Sequence, residues 1–189
     1  MKARKLDNII EKRHSVRKFT KKMPSWRDIT HAINAARLAP AAGNIPVIKF
    51  LIVKDEKTID EIAENCQQDW IKFAKFLVVA CSKDENLVLN YEKRGKRYAR
   101  QQAGAAIQNF LLKIEELGLA SCWVGAFYDK GIKKLLKIPD EVEVEAILPI
   151  GYEDTKNKGK TRRKADLGSL VFWEKWGNKY MQPPARQEI

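Results

Sequence analysis

Apolar positions recur at helical spacing along much of the chain. Leu6, Ile9 and Ile10 share one face of a short helix ending near Arg13. Ser25, with Asp28 three residues on, has capping-box spacing for a second helix, and Trp26, Ile29, Ile33 and Ala36 form its predicted buried stripe. That helix stops before Pro40 in a small-residue loop, 39–44. Residues 49–54 read as a strand, 58–65 and 69–75 as helices, and the wholly apolar 76–81 as a buried strand. Residues 82–97 are polar, without a clear period, and read as a lid or a frayed helix. From Tyr98 the helical pattern is strong: Ala103, Ala106, Ile107, Phe110, Leu111, Ile114 and Leu117 make one face, and Gly118 stands where a C′ glycine belongs. The run Ala103-Gly104-Ala105-Ala106 would let another backbone approach closely. A short strand is predicted at 121–124 and a helix capped by Asp129 runs to Leu136. A last strand covers 142–150, and a basic, then aromatic, then Pro-rich tail follows Gly151.

Helices and strands interleave, but the strands are few and short. No strand leads into a GxGxxG turn and no GxxxxGK[ST] loop occurs, so a doubly wound nucleotide fold is unsupported. The pattern predicts an α+β fold with a central sheet covered by helices. At 189 residues this is one domain with at most an arm. The chain has no apolar run of membrane-spanning length and its first residues lack an apolar leader core, so no membrane partner and a cytoplasmic location are expected. Three cysteines without CxxC spacing argue against a disulfide framework and against a protein-bound metal. With two histidines and no GxSxG elbow, hydrolytic chemistry is poorly supplied.

Lys and Arg number 36 against 24 Asp and Glu, a net charge of +12. That excess suits an anionic partner, or else a Lys-rich, ion-paired surface. It concentrates in the first 22 residues, at 93–100 and at 156–164. The sharpest local pattern is Arg13-His14-Ser15-Val16-Arg17. In an extended segment Arg13, Ser15 and Arg17 point one way, and two guanidinium forks with a hydroxyl suit a phosphate dianion. The same residues also suit a solvated basic helix end beside the helix dipole.

This opening resembles that of the nitroreductase family of FMN-dependent oxidoreductases, and the likeness continues in order along nearly the whole chain. Ala39-Pro40-Ala41-Ala42-Gly43-Asn44 is similar to the family's small-residue loop. Cys66-Gln67-Gln68 with Trp70 resembles its small-enzyme branch. The likeness goes on through residues 105–112 and 117–126, Pro149-Ile150-Gly151-Tyr152 and Arg163-Lys164. The resemblance implies a nitroreductase-like fold with a mostly antiparallel sheet, and an intertwined homodimer with FMN at the subunit interface. It implies a C-terminal arm, about residues 165–189, lying on the partner. Arg13, Ser15 and Arg17 would hold the phosphate and ribityl chain, with His14 nearby and Arg163 completing the site, although Arg162 adjoins it. Pro40, Ala41, Ala42 and Asn44 would contact the flavin ring from the other subunit, Gln67 would meet the ribityl or pyrimidine edge, and Trp123, Val124, Gly125 and Ala126 would lay backbone beside the ring. Two positions depart from many relatives, which carry Asp where Gln102 stands and Thr where Ala103 stands.

The activity so implied is ping-pong hydride transfer from NADH or NADPH to FMN, then to an electron-poor small molecule such as a nitroaromatic, a quinone or a flavin. The flavin carries the chemistry and no catalytic side chain is required. Three alternatives stand beside it: reductive dehalogenation or flavin fragmentation on the same scaffold, a non-enzymatic flavin-binding sensor, and a basic nucleic-acid module. No nucleic-acid partner is the expectation.

Overall fold

The computed structural model describes residues 6–157 and 165–179. The chain divides into a body, residues 1–158, and a C-terminal unit, 159–189. The body holds helices α1 (Leu6–Lys12), α2 (Trp26–Ala36), α3 (Glu56–Cys66), α4 (Glu85–Tyr91), α5 (Lys93–Glu116) and α6 (Asp129–Leu136). Its strands are β1 (Ile48–Val53), β2 (Phe76–Ser82), β3 (Ala120–Ser121) and β4 (Glu143–Gly151), in the order β1-β2-β4-β3 with every pair antiparallel. This is the α+β arrangement that the patterning predicts.

β2 lies between two strands and under helices on both faces, so each of its residues is buried. Phe76, Val78 and Ala80 pack with Ala146, Leu148 and Ile150 against α2 and α5. Leu77, Val79 and Cys81 pack with Val144 and Ile147 against α3 and α6. Val144 and Ala146 thus lie on opposite faces although two residues apart. The register shifts between Ala80 and Cys81, and Glu145 is the extra residue of the bulge. Its carboxylate accepts the Ser82 hydroxyl at 2.6 Å.

Ser25 caps α2, its hydroxyl accepting the Arg27 N–H at 3.2 Å. Trp26 departs from the predicted stripe: it is 56% exposed, and Ala32 is buried instead. The Arg27 guanidinium lies 5.0 Å from the centre of the Trp26 ring. α6 begins at Asp129, with Tyr128 rather than Asp129 as its cap. The strand predicted at 121–124 is reduced to β3 plus an isolated bridge from Val124 to Ile147.

Residues 82–97 are not an irregular lid. They form the end of β2, α4 and the first turns of α5. Their period is hidden because the chain turns at Glu92, φ +50, between two helices that cross closely. Gly95 makes that crossing possible, since a Cβ there would lie 2.4 Å from the backbone of Leu87 and Val88. α5 then runs down the core. Ala103 and Ala106 are buried in the chain's own core, whereas Gly104 and Ala105 are half-buried, and a Cβ on Gly104 would meet nothing within 4 Å. Gly118 ends the helix at φ +73, as its position predicts.

In the C-terminal unit, α7 (Leu167–Leu170) is capped by Asp166, whose carboxylate accepts the Ser169 N–H. Phe172 packs on Trp176 at 4.6 Å between ring centroids.

Candidate functional site

After α1 the chain is extended, and Val16 fixes where it lies. Val16 is buried and its N–H donates to the Ser121 carbonyl at 3.0 Å. The Thr20 N–H donates to Tyr152 O at 2.8 Å, and the Asp154 N–H donates to Lys18 O at 3.0 Å. These anchors run Arg13, His14, Ser15 and Arg17 along the β3 side of the sheet. Ser15 and Arg17 are exposed while Val16 turns inward, as alternation in an extended segment requires. The Arg17 guanidinium lies 5.9 Å from the centre of the Trp70 ring. Phe19 stands 6.4 Å from the same ring and covers Gly151, where a Cβ would come within 2.7 Å of it.

His14 joins this segment to the end of β4. One ring nitrogen, Nδ1, is 2.8 Å from Lys12 O and the other, Nε2, is 3.0 Å from Glu153 Oε1. Both contacts suit a doubly protonated ring. The Lys12 carbonyl raises its pKa above the ordinary 6.5 by more than partial burial lowers it, and the Glu153 carboxylate and then the Glu115 charge raise it further.

The chain beyond Ser121 presents Trp123, Gly125 and Ala126 to solvent. Val124 differs. It is buried, and its N–H and C=O exchange bonds of 3.0 Å with Ile147, so its N–H is committed to the sheet. Gln67 caps α3 in the left-handed conformation, φ +52, with its side chain exposed. The next residue, Gln68, accepts the Trp70 indole N–H at 3.1 Å, which ties this corner to the ring beneath Arg17.

The loop after α2 forms a second group. Pro40, Ala41 and Asn44 line a cleft of about 280 Å³ together with Ala36, Gln102 and Ala106. Ala42 and Asn44 begin and end a single 3₁₀ turn, with Gly43 at φ +57 and Asn44 at φ +56. The positive φ favours glycine at 43, and a Cβ there would also have to displace the Tyr91 hydroxyl. Gln102 secures the turn from inside. It is 7% exposed, and with its amide oriented to suit its neighbours it accepts the Ala42 N–H at 3.1 Å and donates to Ile45 O at 3.2 Å.

The structure therefore gathers the predicted residues into two groups. Arg13, His14, Ser15, Arg17, Gln67, Trp123, Gly125 and Ala126 lie around β3 and the α3 corner; Pro40, Ala41, Ala42 and Asn44 lie on the α2–β1 loop. Arg163 lies outside the described residues. Sequence reasoning did not place Gln102, Tyr91 or Trp70 in the site. A detectable sign existed for one of them: Gln102 sits four residues before Ala106, a polar side chain on the apolar face of α5.

All three cysteines are buried, and burial pushes the thiols of Cys66 and Cys81 up to about 11. Among the described residues no group of His, Cys, Asp and Glu could hold a metal ion, and no helix is long and apolar enough to cross a membrane.

Residues 10–152 match the model of the Nitroreductase family. The chain is 28% identical over 165 residues to an iodotyrosine deiodinase of Thermotoga neapolitana, covering 79% of this chain and 89% of that protein. It is also 28% identical over 149 residues to an Archaeoglobus fulgidus protein provisionally named NADH dehydrogenase/NAD(P)H nitroreductase, covering 76% and 83%. Among solved structures, an FMN-dependent nitroreductase of Clostridium difficile superposes with a TM-score of 0.75 at 24% identity, over 89% of this chain and 98% of that one.

Proposed function

The chain belongs to the nitroreductase family, and from that premise we propose that it is an FMN-dependent oxidoreductase that uses NADH or NADPH to reduce an electron-poor small molecule, such as a nitroaromatic, a quinone or a flavin. The observation that carries this reading is the anchoring of the Arg13–Arg17 segment against Ser121, directly before the exposed backbone of Gly125 and Ala126. The donor set fits FMN: guanidinium groups and a hydroxyl for a phosphate dianion, and open main chain for a ring edge. Bound FMN would supply two-electron transfer between the nicotinamide and the acceptor. The chain's own part is to bind and orient. Arg13, Ser15 and Arg17 hold the phosphate end and Gln67 meets the polar edge. Trp123, Gly125 and Ala126 border the ring, and His14 fixes the segment to Glu153.

The α2–β1 loop, with Pro40, Ala41, Ala42 and Asn44, serves the flavin of a second copy. This accounts for two separate groups of candidate residues in one chain. The protein is then a homodimer with shared sites, the exposed Trp26 and Trp123 have a partner surface to meet, and the C-terminal unit is the arm on that partner. Sedimentation of Gly104→Leu tests the assembly: a flavin-loaded monomer would show that the site is not shared. The function itself is tested by the absorption spectrum of the purified protein and by NADH or NADPH oxidation in the presence of a quinone. We expect a flavin spectrum and acceptor-dependent turnover. A colourless protein that fails to take up added FMN refutes the reading. The similarity to the T. neapolitana deiodinase supports a second reading, reductive removal of halide from a halotyrosine. Halide release from iodotyrosine under reducing conditions would favour it over quinone reduction.

A further inference from the structure

The charge excess at 93–100 belongs to neither group of candidate residues. Lys93, Arg94, Lys96, Arg97 and Arg100 are all exposed on the first two turns of α5. No acid occurs between Lys93 and Ile114, and among the described residues none of the five cations has an ion-pair partner. Some lysines elsewhere do have carboxylate partners: Lys72 reaches Glu64 and Asp69, and Lys133 reaches Glu143. Lys96 also borders a cleft that contains Glu85 and Glu141, but Lys83 engages both of those carboxylates.

The arrangement works against the helix that carries it. Lys93 and Arg97, Lys96 and Arg100, and Arg94 and Arg97 are like charges at i,i+4 or i,i+3 spacing. All stand towards the positive end of the helix dipole. Each term is unfavourable unless an anion is present. Lys93, Lys96, Arg97, Arg100 and Gln101 also line one open cleft of about 490 Å³, within the size range of small-ligand sites. The next residue along the helix, Gln102, lines the cleft of the α2–β1 loop. At about 1.5 Å and about 100° per residue, Arg97 lies about 7.5 Å along the axis from Gln102 and about 140° around it, on the exposed side of the helix. An extended ligand whose reactive end lies at that loop can place a charged end among these cations by passing around the helix over Gln101, which borders their cleft.

We propose that Lys93, Lys96, Arg97 and Arg100 seat the adenosine-side phosphates of the dinucleotide, its 2′-phosphate above all, and so make NADPH the preferred reductant. This rests on the flavoenzyme reading above. Arginine forks suit a phosphate dianion. The cluster extends over about 10 Å of helix, enough for a few phosphates. A nucleic-acid track needs a longer row of contacts, typically six to ten phosphates.

The test uses the FMN-loaded protein and two probes, adenosine 2′,5′-bisphosphate and 5′-AMP, with binding followed by calorimetry at low salt. Wild type is expected to bind the bisphosphate at least about tenfold more tightly, and Arg97→Gln/Arg100→Gln to lose most of that preference, since each exposed charge pair is worth a few-fold. The ratio of kcat/KM for NADPH to that for NADH should fall by a similar factor. No bisphosphate preference in wild type, a preference unchanged in the double variant, or tighter binding of a DNA duplex than of the bisphosphate would each overturn the inference. Absence of flavin or of NAD(P)H oxidation in wild type would defeat the flavoenzyme reading. A flavin-loaded wild type that oxidises NADH and NADPH equally, with no bisphosphate preference, would defeat this inference alone.

Discussion

Gln102→Leu removes the two hydrogen bonds that hold the Ala42–Asn44 turn while keeping the side chain's approximate volume. The bonds run to Ala42 N at 3.1 Å and from the amide to Ile45 O at 3.2 Å, on a residue 7% exposed. A net value of about 1 kcal/mol per bond sets a loss of about 2 kcal/mol. Ala42 and Ile45 are half-buried, so water can recover part of what their main-chain groups lose, and the figure stays near that lower estimate. If the loss falls on the order of the turn, flavin affinity should drop about 10- to 30-fold, because the turn belongs to the cleft that would border the ring. Urea denaturation of the apoprotein measures the first quantity and FMN titration measures the second. Gln102→Glu gives an internal check. At neutral pH its buried carboxylate faces Ile45 O without a proton and is costly to desolvate, so it should not restore stability, whereas the protonated acid at low pH can donate to Ile45 O and should recover part of the loss. A Gln102→Leu protein with unchanged unfolding midpoint and unchanged flavin affinity would refute the anchoring role.

The His14–Glu153 contact should be visible as a pH effect. Because the folded pKa of His14 lies above 6.5, its stabilising contribution is complete below pH 6.5 and is lost as pH rises through the folded value. In Glu153→Gln the imidazole should titrate at lower pH by NMR; an unmoved titration would dismiss the contact. Gly95→Ala should destabilise by about 2 kcal/mol, since its Cβ would strike the α4 backbone, whereas Gly104→Ala should gain up to about 1 kcal/mol of helix propensity in the monomer. Thermal melts compare the two, and a stabilising Gly95→Ala would contradict the close crossing. Cys66 and Cys81, buried with thiols raised to about 11, should resist iodoacetamide at pH 8 until the protein is unfolded. Mass spectrometry of native samples reads this directly, and rapid labelling would mean that the sheet opens locally.

The sequence by itself determined what is local. The 3.6-residue period marked the buried face of α5, the apolar run marked β2, Ser25 marked a helix start and Gly118 a helix end. The ordered family-like motifs singled out the Arg13–Arg17 segment and the 39–44 loop as candidate site elements, because those motifs are contiguous in the chain. Features that depend on partners far away in sequence were decided only by the tertiary structure. Glu145 bulges out of β4 to meet Ser82, 63 residues away, and so reverses the faces on either side of it. His14 finds Glu153 across 139 residues. Val124 commits its N–H to Ile147, and Gln102 spends its amide on a turn some sixty residues upstream. The helix hidden in 82–97 needed the same information, because Gly95 reads as a helix breaker until α4 is seen crossing over it. Periodicity is a property of one segment's own geometry, while hydrogen-bond pairing and close approach are settled only when separate segments meet.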